Sequence, residues 1–375
     1  MTEPRRHDTA LALAACLYAA VVIPLSIHKG GDFTSELGQS ERLLRGLPPF
    51  GAADPALGVP WPPFGAAALI PFALVARMSL PLAKALWAAA SIGCIWGALR
   101  WTAQRSWYRA LFAVGAVAVP LQTNFEHLNI GAVLLALVTL AIADLESDRE
   151  ARAGVAIGIA TALKAFPGLV LVYFAAQRRW RALAAGTAVS GSLTLLALAP
   201  LGVSGAITGV RDWLSLGLEH HWNMQPSANQ SLEAMLARLE VPNPGGVGLI
   251  VVGTMIAVTV VAVAWKAPLA RDIPLGVGAF TVLAVLASPI AWVHSFLLLF
   301  VAWVGVLARW PFGGATRLGV FLAGLGTSGM LTIGPRSWRS LLLSHSVYAW
   351  SALLLWAIVI LCLRSSHPAP STVRT

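Results

Sequence analysis

The sequence predicts an all-α protein: a polytopic membrane bundle of about 12 transmembrane helices with two long loops on one side. Three observations predict it. Hydrophobic residues make up 57% of the 375 and charged residues only 11%, against roughly 25% charged in an ordinary soluble domain. The mean hydropathy is +0.74. The apolar residues also cluster in runs close to the roughly 20 residues that a spanning helix needs. A water-soluble fold would lack a polar surface, and a disordered chain would not carry this much apolar side chain.

The first apolar run, 9–28, follows Arg5 and Arg6 and imitates a secretory leader, with "LAAC" at 13–16 resembling a cleavage site. Too few apolar residues precede it for an h-region of about 7–15. The run therefore reads as the first helix, with a cytoplasmic N-terminus. Further runs at 61–78, 82–99, 109–122, 129–145, 152–176, 182–203, 246–265, 273–289, 293–309, 317–334 and 345–363 read as spans. The polar stretches 29–60 and 204–245 then fall outside the cell membrane, as two loops over one face of a single domain, 1–364. Residues 365–375 read as a disordered cytoplasmic tail.

Two runs strain this scheme. Residues 109–122 are short. Within 152–176, Lys164 lies mid-run with Pro167 three residues on, and proline removes a backbone donor. As one span, 152–176 puts "DLESDREAR" (144–152) outside and His127 inside. As two half-length helices meeting near Lys164 it forms a hairpin that does not fully cross. Short and broken helices are tolerated where they line a cavity.

The net charge is +10, from 26 Lys+Arg against 16 Asp+Glu. Because the arginines sit in short tracts between apolar runs, this reads as positive-inside bias and not as a nucleic-acid surface. Cys16, Cys94 and Cys362 lie inside apolar runs without ligand spacing. His220 and His221 are adjacent and make a poor metal pair. No metal site, nucleotide loop or cofactor is expected, nor is there an internal repeat of the transporter kind.

Ionisable groups inside a membrane cost roughly 2.5–3.5 kcal/mol on insertion scales, so polar residues at the ends and breaks of apolar runs are the functional candidates. In "KGGDFTSELGQSERLLRG" (29–46), Leu37, Leu43 and Leu44 describe an interfacial amphipathic helix. Asp32 reads either as its N-cap or as a carboxylate able to take a proton from a hydroxyl, with Glu36 one turn later in reserve. "PFGAADPALGVPWPPFGAA" (49–67) reads as a rigid re-entry turn with Trp61 as an interfacial anchor. Glu126, His127 and Asn129 in "NFEHLNIG" face either a cavity or a plain loop. Lys164, one of four lysines, either snorkels or meets an anion. Asn229, Gln230 and Ser231 begin a helix whose free N–H groups can hold an anion. Trp292 and His294 lie where a span resumes after Pro289.

Taken in order, these segments resemble glycosyltransferase family 87, whose members are GT-C-type membrane transferases using polyprenyl-phosphate sugars. The resemblance covers about 28–296. It rests on the acidic residue after the first helix, "LLRGLPPF" (43–50), "PWPPFGAAALIPFAL" (60–74), the polar patch ending in Asn129, "GIATALKAFPGLVLV" (158–172), "NQS" (229–231) and "SPIAWVHSF" (288–296). The chain departs from the family pattern at Glu126-His127, where Gly-Gln is more usual. The resemblance implies an inverting mannosyltransferase, α-1,2 in type, in the plasma membrane with an extracytoplasmic site. A polyprenyl-phosphate sugar would be the donor and a glycolipid or lipoglycan the acceptor. It implies Asp32 as the catalytic base, and Lys164, His294 and His127 handling phosphate or positioning. Asn129, Asn229, Gln230, Trp292 and Glu36 would bind sugar or acceptor. Two alternatives stand beside it: an arabinofuranosyltransferase, and a flippase or secondary transporter of lipid-linked sugars. The second is less suited to long loops without repeats.

Overall fold

The computed structural model describes residues 3–49, 62–218, 227–264 and 272–365, and these contain helices and no strand. In chain order the helices are α1 (Glu3–His28), α2 (Gly31–Leu44), α3 (Pro63–Ala68), α4 (Ile70–Met78), α5 (Leu80–Ala103), α6 (Trp107–Gly115), α7 (Ala118–His127), α8 (Gly131–Glu146), α9 (Glu150–Leu163) and α10 (Val170–Ala176). There follow α11 (Trp180–Leu198), α12 (Gly202–Leu218), α13 (Leu232–Arg238), α14 (Pro244–Ala264), α15 (Ile273–Ala287), α16 (Leu299–Leu307), α17 (Gly314–Ser328), α18 (Arg336–Ser344) and α19 (Val347–Arg364). Trp61, His220, His221 and the tail from 366 lie outside the described residues.

Among the described residues, five helical stretches are long and apolar enough to cross a membrane unaided: Thr9–His28, Leu80–Ala103, Trp180–Ser215, Pro244–Ala264 and Val347–Arg364. Other expected spans are assembled from shorter pieces. The run 61–78 is divided at Leu69, where Pro71 occupies the first turn of α4; 109–122 becomes α6 and α7; and 293–309 opens with a 3-10 turn, Val293–Leu298, before α16.

Ion pairs and hydrogen bonds mark two ends of the bundle. At one end Arg105 pairs with Glu146, Arg149 and Arg152 with Asp144, Arg179 with Glu150, and Arg309 with Asp272. At the other, Lys84 in the first turn of α5 donates to the carbonyls of Ile27 (3.2 Å) and Lys29 (3.0 Å). These carbonyls close α1 and have no partner within it.

The described residues between these two points stay at that second end. Arg77 of α4 makes a two-bond fork to Glu41 of α2, at 2.8 and 2.7 Å. Ser40 Oγ donates to the Ala66 carbonyl at 2.7 Å, and Phe33, Phe72 and Trp87 pack ring to ring. The expected span 61–78 is therefore a layer folded back over α2 and not a crossing.

The second correction concerns 152–176. Because Arg179 returns to Glu150, α9 and α10 leave from and come back to the arginine-rich end, with Lys164 at the tip between them. This is the hairpin of half-length helices. Its entry leg is pressed on α11: a Cβ on Gly154 would lie 2.2 Å from the Ala182 carbonyl oxygen, and one on Gly158 2.6 Å from that of Gly186. Small residues let the two backbones approach. The hairpin and the folded-back layer together put His127 at the same end as Asp32 and the 144–152 loop at the opposite end. This reverses the single-span expectation for both.

The second polar stretch is also more ordered than expected. Residues from 204 continue as α12, and 227–238 form a plug. In the plug Asn229 and Gln230 are fully buried.

Candidate active site

The site is built where α1 turns into α2. Gly30 takes a left-handed backbone (φ 58°) and donates its N–H to the Glu126 carbonyl at 2.9 Å. A Cβ there would lie 2.8 Å from Leu128, so the turn requires glycine. The turn docks α2 on the end of α7. Gly30, and not Asp32, is the N-cap. Asp32 lies in the first turn with its side chain directed elsewhere.

Asp32 Oδ2 accepts a hydrogen bond from Asn129 Nδ2 at 2.9 Å. His127 Nδ1 lies 3.4 Å from Oδ1, and His294 Nε2 lies 4.0 Å from Oδ2. The two imidazole rings are 5.8 Å apart. His127 and Asn129 converge on one carboxylate because Leu128 between them adopts φ 51°. For a residue with a Cβ that conformation costs roughly 1–2 kcal/mol. The Leu128 carbonyl is held by Trp87 Nε1 at 2.8 Å, and the Asn129 N–H by the Asn124 carbonyl at 2.9 Å.

Burial pushes the Asp32 carboxyl up, but the His127 hydrogen bond, the charges of His294 and His127 and the Asn129 amide outweigh it. Its pKa lies well below the usual carboxylate range. The group is thus ionised at physiological pH. His127 is shifted up, chiefly by its bond to Asp32. Glu36 is pushed well up by burial, against the opposing pull of Lys164 and with a small addition from Asp32.

Asp32 opens onto a cavity of about 360 Å³, within the range of small-molecule sites, which Glu36, Asn129, Lys164, Trp213 and Trp292 also line. Lys164 reaches the cavity because the chain leaves α9 there in an extended conformation (φ −155°, ψ 120°). Its ammonium sits 6.0 Å from the Phe166 ring centre. A fixed carboxylate and a cation in one cavity can accept a proton at one point and stabilise an anion at another.

The other candidates are placed differently. His127 and His294 stand behind Asp32 and do not line the cavity. Asn229 gives its amide to backbone: Nδ2 donates to the Pro289 carbonyl at 3.0 Å, and Oδ1 accepts from Ser231 and Ala291 at 3.1 and 3.0 Å. Gln230 Nε2 donates to the carbonyls of Ser227 and Leu343, and Oε1 accepts from Tyr348. Both residues therefore shape the Pro289–Trp292 wall and do not point into the cavity, in contrast to the expectation that they bind sugar. The start of α13 is likewise closed to an anion, since Ser231 Oγ accepts from the Ala234 N–H at 3.1 Å.

Trp213 was missed because it falls in the stretch read as a loop. Ile207, Val210, Trp213 and Leu214 recur at helical spacing, and that signal could have found α12. Among the described residues no group of three or more His, Cys, Asp or Glu is placed to hold a metal ion.

Comparison with known proteins bears on this arrangement. Over 268 residues the chain is 26% identical to a polyprenol-phosphate-mannose-dependent alpha-(1-2)-phosphatidylinositol pentamannoside mannosyltransferase of Mycolicibacterium smegmatis (strain ATCC 700084 / mc(2)155), covering 67% of this chain and 60% of that protein. The protein of the same description from Mycobacterium tuberculosis (strain CDC 1551 / Oshkosh) is 27% identical over 273 residues, covering 68% of this chain and 59% of its own. A polyprenol-phosphate-mannose-dependent alpha-(1-2)-phosphatidylinositol mannoside mannosyltransferase of M. smegmatis is 32% identical over 162 residues, 37% of this chain and 36% of its own. The chain thus spans about three fifths of the length of the first two relatives. The family model for glycosyltransferase family 87 matches residues 60–289, a segment that contains Asn129, Lys164 and the Pro289 wall, and the chain belongs to glycosyltransferase family 87.

Proposed function

We propose that this protein is a membrane mannosyltransferase that moves mannose from a polyprenyl-phosphate donor to a glycolipid, inverting the anomeric centre and forming an α-1,2 linkage. The observation that carries the proposal is the sharing of one cavity by Asp32 and Lys164. The names of the relatives support mannose as the sugar and a phosphatidylinositol mannoside as the kind of acceptor.

In this reading an acceptor hydroxyl hydrogen-bonds to Asp32. Its oxygen attacks the anomeric carbon from the face opposite the phosphate, and its proton passes to the Asp32 carboxylate. The bond between the anomeric carbon and the phosphate oxygen breaks, and its electron pair leaves on the polyprenyl phosphate. A low-lying carboxyl is a weak base, so it collects the proton as the new bond forms and the hydroxyl acidifies. A positioned base contributes typically 10²–10⁴ in rate. Lys164 faces the departing phosphate, where a cation stabilises the developing charge. Asn129, His127 and His294 hold the base in place.

The arginine-rich end faces the cytoplasm under the positive-inside rule, which supports a site on the extracytoplasmic side of the plasma membrane. The test uses purified protein in liposomes with polyprenyl-phosphate mannose or polyprenyl-phosphate arabinose and extracted envelope glycolipids, followed by mass. Mannose transfer is expected. Transfer of arabinose alone would substitute the arabinosyl reading. Passage of the lipid-linked sugar across sealed liposomes without transfer would make the protein a transporter.

A further inference from the structure

Glu36 is a buried carboxyl that the mechanism above leaves without a task. Its residue is 2% exposed, it lines the same cavity as Asp32 and Lys164, and its Oε2 receives no hydrogen bond from any described residue. A buried polar group is costly when left unsatisfied. It stands four residues after Asp32 on α2, a spacing that places two side chains on one helix face about 5–6 Å apart.

The transfer reaction is collinear at its centre: acceptor oxygen, anomeric carbon, phosphate oxygen. Asp32 marks the acceptor end of that line and Lys164 the phosphate end. The Glu36 carboxyl lines the cavity that both share, where the ring of the donor sugar must lie.

We propose that Glu36 hydrogen-bonds through its free oxygen to a hydroxyl of the donor sugar, making it a specificity-determining residue that recognises the sugar and not the lipid phosphate. The inference rests on the transferase reading of the cavity. The neighbouring Asp32 is ionised, and a second negative charge beside it is disfavoured. Burial, the larger cause, and that neighbour favour the neutral acid at Glu36 over the opposing pull of Lys164, and a neutral acid can donate to the sugar as well as accept from it.

Binding separates this role from the alternatives. Purified full-length wild type, Glu36→Gln and Glu36→Ala would be titrated with polyprenyl-phosphate mannose and, separately, with sugar-free polyprenyl phosphate. For Glu36→Ala we expect affinity for the mannose lipid to fall about tenfold, with affinity for the sugar-free lipid unchanged. Glu36→Gln, neutral and nearly isosteric, stays within about threefold of wild type on both, since its amide can still donate and accept. Equal loss on both lipids in either variant would make Glu36 an ionic partner of Lys164 and overturn the proposal. So would an alanine variant that binds the mannose lipid as wild type does. If Glu36→Ala does not fold, Glu36→Gln still decides between the sugar role and the ionic role. Wild type that binds neither lipid would overturn the transferase reading and this inference together. Normal wild-type binding with a folded Glu36→Ala variant indifferent to both lipids would overturn the inference alone.

Discussion

The bundle carries a carboxylate cluster at each end, and the two are instructive side by side. Asp144, at the arginine-rich end, is 1% exposed and pairs with Arg149 at 2.9 Å and Arg152 at 3.5 Å. Asp32, at the other end, has a side chain 32% exposed, and its partners are an amide and two imidazoles. Both are carboxylates among donors, so burial and proximity of positive charge do not separate structure from chemistry. The difference lies in what the partners leave over. Two permanent cations beside the end of α8 neutralise the buried Asp144. Weaker donors fix Asp32 from behind, while its open side faces a cavity shared with Lys164.

The sharpest way to break the comparison is to neutralise each carboxylate. Asp32→Asn should lower transfer by about 10²–10⁴, measured as mannose transferred per folded molecule. Lys164→Met should follow, with a loss of turnover of about 10²-fold and a smaller effect on the affinity of the acceptor, read by steady-state kinetics over both substrates. Asn129→Ala removes a hydrogen bond to a charged group, worth about 1.5–3 kcal/mol. It should cost about tenfold or more in turnover at unchanged acceptor affinity. Asp144→Asn should leave the rate per folded molecule within about twofold and lower stability by about 1–3 kcal/mol, because the half-exposed arginines can turn to water; denaturant unfolding in detergent reads this directly.

The smallest effect is a pH dependence at the Asp32 end. His127 is shifted up by Asp32, so its contribution to stability is full below about 6.5, the unfolded value, and is lost as pH rises through the higher folded one. Asp32 is shifted down, so its contribution is full above about 3.9 and is lost only as pH falls through the lower folded value. Melting temperature should therefore decline as pH rises above about 6.5, and His127→Gln should flatten that decline.

Much of this arrangement was legible in the sequence, for reasons that can be named. The apolar runs located the helices because hydropathy reports local burial along the chain. The break at Lys164 could be read from Pro167, since proline acts within one turn. Asp32, Asn129, Lys164 and Trp292 stood out as polar or aromatic residues at the ends of runs, and the cavity gathers them. Direction was not legible. Whether 61–78 crosses or folds back depends on the Arg77–Glu41 fork and the Ser40–Ala66 bond, contacts made across tens of residues. The side on which His127 emerges depends on that fold and on the return of Arg179 to Glu150. Polarity likewise announced Asn229 and Gln230 without revealing that their amides serve backbone, because a buried amide looks the same in sequence whether it meets a carbonyl or a sugar.

The measurement closest to the central claim is the initial rate of mannose transfer from polyprenyl-phosphate mannose to envelope glycolipid, compared among wild type, Asp32→Asn and Asp144→Asn at matched folded concentration. The account predicts a loss of at least about 100-fold for Asp32→Asn alone, with Asp144→Asn close to wild type. Full turnover by a well-folded Asp32→Asn protein would contradict it.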